Sequence, residues 1–177
     1  MQEIYSEFSG KILQNRKRLE HELKVKITNQ RKIIFLEGKA EDEYTACEVI
    51  KAINLGFTIT DALLLTNEDF ILEKILIKDI TKRRDLERIR GRIIGTKGKT
   101  KKTIESLTDS LIAIHENEVG IIGRADEIES TITALTALIR GKKQTKTYSY
   151  LEKERSKNKT SLNIDFGLKR PKKKKKE

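Results

Sequence analysis

A strand–strand–glycine–helix pattern occurs twice in this chain, and it limits the fold to two small modules rather than one large core. In the first occurrence residues 25–27 and 32–37 read as strands and Gly38 follows. Residues 41–53 then repeat apolar side chains at helical spacing through Ala46, Val49, Ile50 and Ile53. In the second, residues 111–116 and 118–122 read as strands joined by a tight turn at Glu116-Asn117. Gly123 follows, and residues 126–140 carry Ile128, Ile132, Leu135 and Ile139. Gly38 and Gly123 lie 85 residues apart, and matching Ile27 to Ile114 at 87 predicts a hairpin two residues shorter in the second copy. Composition fits small aliphatic cores: of 177 residues 36% are hydrophobic and 37% charged, and there is no Trp.

The second copy has a fuller pattern ahead of it. Residues 73–80 alternate as a short strand with Ile75 and Ile77 on one face. Thr81 is placed to cap a helix over 82–94, where Leu86, Ile89 and Ile93 fall at i, i+3 and i+7. Gly95-Thr96-Lys97-Gly98 interrupts, a second helix follows over 99–107 with Ile104 and Leu107 inward, and Thr108-Asp109-Ser110 turns the chain into the hairpin. The order is β-α-α-β-β-α, an α+β arrangement. Ahead of the first copy, residues 2–5 read as an edge strand and residues 11–23 as one helical stretch.

No glycine loop interrupts that stretch. Two alignments of it stand open: Ile12-Leu13 on Ile93-Ile94, with a gap of four residues after it, or Gly10 on Gly95, with Leu13 at the second glycine. The expected division is a first module over 1–56, a linker over 57–70 with a short helix capped at Thr60, a second module over 71–141, and a basic tail over 142–177. In that tail residues 148–159 read as a short helix. Its end, with Pro171 and the lysines of 172–176, is expected to be disordered.

The net charge of +11 is unevenly spread. Residues 1–70 carry −2, residues 71–141 carry +3, and residues 142–177 carry +10; within the middle third, residues 82–102 alone carry +8. Basic charge concentrated around one short segment and one tail is the footprint of a polyanionic partner. A solvated surface is the commoner meaning of a charge run, so the argument needs a motif.

That motif is Arg92-Ile93-Ile94-Gly95-Thr96-Lys97-Gly98-Lys99-Thr100. Glycines let a backbone approach sugar and phosphate where a Cβ would collide. The start of the next helix offers unpaired N–H groups to a phosphate. Lys97 and Lys99 add charge, and Arg90, Arg92, Lys101 and Lys102 widen the field. Ile93, Ile94, Ile112 and Ile114 are the candidates for an apolar floor under the bases. For each isoleucine taken alone, core is the commoner role, and helical and strand periodicity cannot place all four on the groove. His115 alternates away from Ile114 and reads as solvated. A helix rather than a strand precedes Gly95, which excludes a nucleotide-binding P-loop.

Other chemistry finds no support. Cys47 is the only cysteine, and His21 and His115 stand apart, so no disulfide, zinc site, other cofactor or nucleophile arrangement is expected, and no enzymatic activity. No apolar run approaches the ~20 residues of a membrane helix, and no secretory signal is read at the N-terminus. A reducing, cytoplasmic setting is expected.

With helix, Ile-Ile-Gly, two polar residues, Gly-Lys, helix, two strands and helix in this order, the second copy resembles a KH module, whose loop holds about four nucleotides of single-stranded nucleic acid. Residues 91–108 resemble, more narrowly, the second KH domain of the archaeal and eukaryotic two-KH assembly factor of the small ribosomal subunit. The linker 52–69 and residues 148–155 are also similar to that family, over roughly residues 1–155 in all.

The resemblance implies two tandem type I KH domains, the first degenerate. It implies binding of single-stranded RNA near the 3′ end of small-subunit rRNA during pre-rRNA processing, in an archaeal setting, beside a PIN-domain endonuclease. Many archaeal members keep a GxxG loop in the first copy, and this chain does not. The rival expectations are a general RNA-binding subunit of an RNA-degrading complex, and an adaptor that regulates a nuclease or a translation initiation factor.

Overall fold

The structure, a computed structural model, describes residues 1–165 apart from 83 and 84, with side chains to residue 157. The disorder expected at the lysine-rich end falls outside these residues. The first unit runs β1 (Gln2–Tyr5), α1 (Ser9–Gln14), α2 (Arg16–Leu23), β2 (Lys26–Gln30), β3 (Ile33–Glu37) and α3 (Ala40–Asn54). A short helix α4 (Ile59–Ala62) and a 3-10 turn (Leu63–Thr66) lead to the second unit. This comprises β4 (Phe70–Leu76), α5 (Ile77–Ile80), α6 (Leu86–Ile94), α7 (Lys99–Thr108), β5 (Leu111–His115), β6 (Glu118–Arg124) and α8 (Ile128–Ile139), and α9 (Gln144–Asp165) follows. Apart from the one-turn α5, both units are β-α-α-β-β-α. Both build a three-stranded antiparallel sheet with the last strand in the middle, β1-β3-β2 and β4-β6-β5.

Strand register shows how closely the copies agree. Each hairpin closes with two residues, Arg31-Lys32 and Glu116-Asn117, and the first of each has positive φ (57° and 48°). The hairpins are therefore equal in length, and Ile27 superposes on Ile112, not on Ile114. The offset stays at 85 from Lys24 and Asp109, which end α2 and α7 in left-handed conformation, to Gly56 and Gly141 after α3 and α8. One hydrogen bond recurs at this offset. Ile27 N–H donates to Glu20 Oε1 at 2.8 Å, and Ile112 N–H donates to Glu105 Oε1 at 2.9 Å. Both amides belong to edge strands, and the carboxylates occupy donors that would otherwise face outward.

Four local expectations change. The helix expected over 11–23 breaks at Asn15 (φ −109°, ψ 15°). Ile12, Leu19 and Leu23, spaced seven and four apart, keep one buried stripe across the break, so periodicity alone reads a single helix. The linker helix is capped by Thr58, whose side chain accepts from Asp61 N–H at 3.1 Å, rather than by Thr60. Asp85 caps α6, accepting from Arg88 N–H at 3.0 Å, in place of Thr81. Finally, β4 starts earlier than expected and stops at Leu76. Ile77 opens α5 and stays buried.

The second sheet is covered on both faces. Ile75, Ile112, Val119 and Ile121 face α6, α7 and α8 and pack with Ile89, Ile93, Ile104, Leu135 and Leu138. Leu151 of α9 closes this core, so the front of the expected tail is part of the second unit. The opposite face, through Ala113 and Ile122, packs into the first unit's core with Leu55 and Phe57. At its centre Gly120 lets the segments touch, since a Cβ there would lie 2.8 Å from the Phe57 ring. Each Ile, Leu, Val or Phe side chain so buried contributes roughly 1.5–3 kcal/mol relative to exposure. His115 belongs to this junction rather than to solvent: it meets Phe8 edge-to-face, ring centroids 5.3 Å apart.

Candidate nucleic-acid interface

The loop Gly95–Gly98 stands where α6 ends and α7 begins. Gly95 has φ 72° and ψ 176°, Lys97 is itself left-handed at φ 52°, and Gly98 has φ 75°. A Cβ on Gly95 would run into the Thr100 hydroxyl and lie 2.7 Å from Thr100 Cβ and 2.8 Å from the Thr100 backbone nitrogen. Nothing lies within 4 Å of a Cβ on Gly98. The two glycines thus serve different needs. Gly95 makes room for the protein's own Thr100, whereas Gly98 supplies backbone conformation and an open approach. Gly98 is also the N-cap of α7 and brings no side chain; the Lys99 N–H donates to the Thr96 carbonyl, and no side chain caps the helix start.

The cations surround this helix start. An open groove of about 870 Å³ is lined by Thr96, Lys97, Lys99, Lys102, Thr103, Ser106 and Leu107. Thr103 and Ser106 carry no expectation from the sequence, and Leu107, expected inward, is half-buried and lines the groove; their one signal is the helical spacing that carries Lys99 and Lys102 down the same flank of α7. Lys101 faces the other flank and pairs with Glu105 at 3.7 Å.

Other expected contacts are corrected. Ile93 and Ile112 are core, 0% and 2% exposed, and offer no surface to a base. Ile94 is 39% exposed and Ile114 is half-buried, so these two remain available. Arg90 donates to the Glu116 carbonyl at 3.1 Å, tying α6 to the β5–β6 turn. Arg92 donates to the Lys142 carbonyl at 2.7 Å, tying α6 to the segment before α9. These bonds tie α6 to its neighbours, and each guanidinium keeps further N–H donors.

In the first unit no such loop exists. Ile12, buried like Ile93, lies 81 residues before it, while Asn15 lies 85 before Thr100. The difference is four residues, which selects the alignment of Ile12-Leu13 on Ile93-Ile94. The staple behind the loop survives: Lys11 Nζ donates to the Phe57 carbonyl at 2.9 Å, as Arg92 does to Lys142. Glu20 of α2 is held below the usual carboxylate range, chiefly by the Ile27 amide and then by Arg16 at 2.9 Å. Among the described residues no helix is long and apolar enough to cross a membrane.

Two β-α-α-β-β-α units, one carrying a glycine-flanked loop at an uncapped helix start, define a tandem KH protein. A family model described as eukaryotic type KH-domain (KH-domain type I) matches residues 71–156. A KH domain-containing protein of Methanocaldococcus jannaschii is 36% identical over 115 residues, which is 64% of this chain and 51% of that protein. The crystal structure of Dim2p from Pyrococcus horikoshii is similar with a TM-score of 0.78 and 32% identity, covering 86% of this chain and 99% of that one. A second structure, an a/eIF2alpha–aDim2p–rRNA complex from Pyrococcus horikoshii, gives a TM-score of 0.80 at 29% identity, covering 88% and 94%. The chain spans about half the length of the curated relatives it matches. It belongs to the family of archaeal Dim2p, whose eukaryotic relatives are named RNA-binding protein PNO1 and pre-rRNA-processing protein PNO1.

Proposed function

We propose that this chain binds single-stranded RNA near the 3′ end of small-subunit rRNA during assembly of an archaeal small ribosomal subunit, in the cytoplasm and without catalysing a reaction. The observation that carries this reading is the side-chain-free N-terminus of α7 under the Gly95–Gly98 loop, rimmed by Lys97, Lys99 and Lys102. In this reading phosphates lie on the loop and the helix start, and bases lie toward Ile94 and Ile114. The unit over 71–141, completed by the front of α9, does the binding. The first unit, lacking the loop and carrying −2 over 1–70, contributes a protein-facing surface. The rRNA and a/eIF2alpha in the Pyrococcus complex support an rRNA target and an initiation-factor subunit as one protein partner. A PIN-domain endonuclease is the other partner proposed.

The double variant Thr96→Asp, Lys97→Asp tests the site. Two anions placed against the phosphate path should lower RNA affinity on the order of 100-fold, and the exposed loop should leave the melting temperature unchanged. Wild-type affinity in this variant, measured by fluorescence anisotropy, overturns the assignment.

A further inference from the structure

We infer that Gln144, the first residue of α9, is the positioning residue of the Gly95–Gly98 loop; the inference rests on the RNA-binding reading above. Gln144 Nε2 donates to Thr100 Oγ1 at 2.9 Å and approaches the Arg92 carbonyl at 3.3 Å. Thr100 is buried, and it is the residue whose side chain fills the space that Gly95 leaves. One amide group therefore grips both sides of the loop: the last turn of α6 through Arg92, and the first turn of α7 through Thr100. The Arg92 carbonyl needs such a donor. The helix ends at Ile94, and Gly95 N–H goes to the Gly91 carbonyl, so Arg92 lacks its intrahelical partner.

The first unit supplies the control. Its carbonyl equivalent to Arg92 belongs to Lys11, and there Asn15 Nδ2 donates at 3.0 Å from within the helix pair. Asn15 stands at the Thr100 position, and Ile59 stands at the Gln144 position. Where the helices meet directly, a short side chain at the junction reaches back four residues and no outside donor is present. Where four residues intervene, Thr100 no longer serves that carbonyl and an amide comes from α9. Gln144 thus accompanies the loop, whereas the Lys11 and Arg92 staples, present in both units, accompany the fold. The consequence is that the loop's shape, and with it RNA affinity, depends on the docking of α9.

The test uses the full chain with Gln144→Leu, which keeps bulk and removes the donor, beside Thr100→Val and the double variant. Binding is read with a labelled, random-sequence single-stranded RNA of about eight nucleotides, twice the span of one KH loop. Loop order is read independently from hydrogen exchange at Gly98 N–H, which donates to the Gly95 carbonyl at 3.1 Å. We expect Q144L to bind about tenfold more weakly and to exchange Gly98 about tenfold faster, with the melting temperature moved by about 4 °C at most. The double variant should be no worse than Q144L alone, because the Thr100 contact that T100V removes is already lost in Q144L. Wild-type exchange at Gly98 in both Q144L and T100V overturns the proposal. So does faster exchange with RNA affinity within twofold of wild type, provided T96D/K97D has lost binding. Should T96D/K97D itself bind normally, the RNA reading fails, while Gly98 exchange still decides whether Gln144 positions the loop.

Discussion

The two units of this chain share a fold, a sheet order and a set of recurring contacts; apart from α5 and the segment after it, which only the second unit has, they differ at the junction of their first two helices by four residues. Glu20 and Glu105 take the same edge-strand amide, and Lys11 and Arg92 staple the same carbonyl position. At the differing place the second unit has glycine-flanked backbone at an uncapped helix start, and the first has Asn15 between two abutting helices. The fold therefore does not need the loop. What the loop adds is a glycine-flanked helix start with Lys97 and Lys99 beside it, cations of the kind that contact a phosphate chain.

The sharpest way to break the comparison is to make the second unit like the first. Removing residues 96–99 and substituting Gly95→Gln and Thr100→Asn reproduces the first unit's junction. RNA affinity should fall on the order of 100-fold or more, with the β-structure signal in circular dichroism retained. Retained RNA binding would show that the four residues are not the difference that matters.

A smaller effect is expected in the first unit. Reversing charge at Arg16, Lys17 and Arg18 should weaken RNA binding only a few-fold, through long-range field, and the effect should vanish as salt rises. A loss as large as that of T96D/K97D, measured in the same anisotropy assay, would show that the first unit also clamps RNA.

The smallest effect is on acid stability. The Glu20 carboxyl lies below its ordinary range in the folded chain, so it adds stability above the unfolded value of about 4.3, and that contribution disappears as pH falls through the folded value. Glu20→Gln keeps an acceptor for the Ile27 amide and removes the titration. It should melt about 4 °C lower at most near pH 7, and the gap should close below about pH 4. A gap that does not narrow as the pH is lowered through the carboxylate range would place the effect in packing instead of charge. Glu105→Gln measures the corresponding bond in the second unit.

Much of this architecture is legible in the residues, because isoleucine and leucine spacings switch cleanly between two and three-and-a-half along the second unit. Gly95 and Gly98 mark the loop because basic residues and helical spacings flank them, whereas Gly120 and Gly123, at the same separation, fall in an apolar strand. The break at Asn15 is hidden, since an excision that preserves the phase of Ile12, Leu19 and Leu23 leaves no trace in periodicity. Ile93 and Ile112 sit in a motif and on a strand that border the site, and only packing shows which way they turn. Arg92 reads as a phosphate contact because a charge on paper does not show the carbonyl it holds. Gln144, an ordinary polar residue 44 positions after Thr100, carries no local signal. It becomes visible only once the constant offset of the two copies places it opposite Ile59.

The junction built on Gly120 governs how the chain comes apart. Ala113 and Ile122 of the second unit are interior to the first unit's core, so neither unit can unravel without stripping cover from the other. Heat absorption should therefore appear as a single calorimetric peak, its van't Hoff enthalpy matching the area beneath it, as for one cooperative body. A change deep in the loop-free half would consequently lower the population of the RNA-competent half as well, by mass balance alone and without touching a nucleotide.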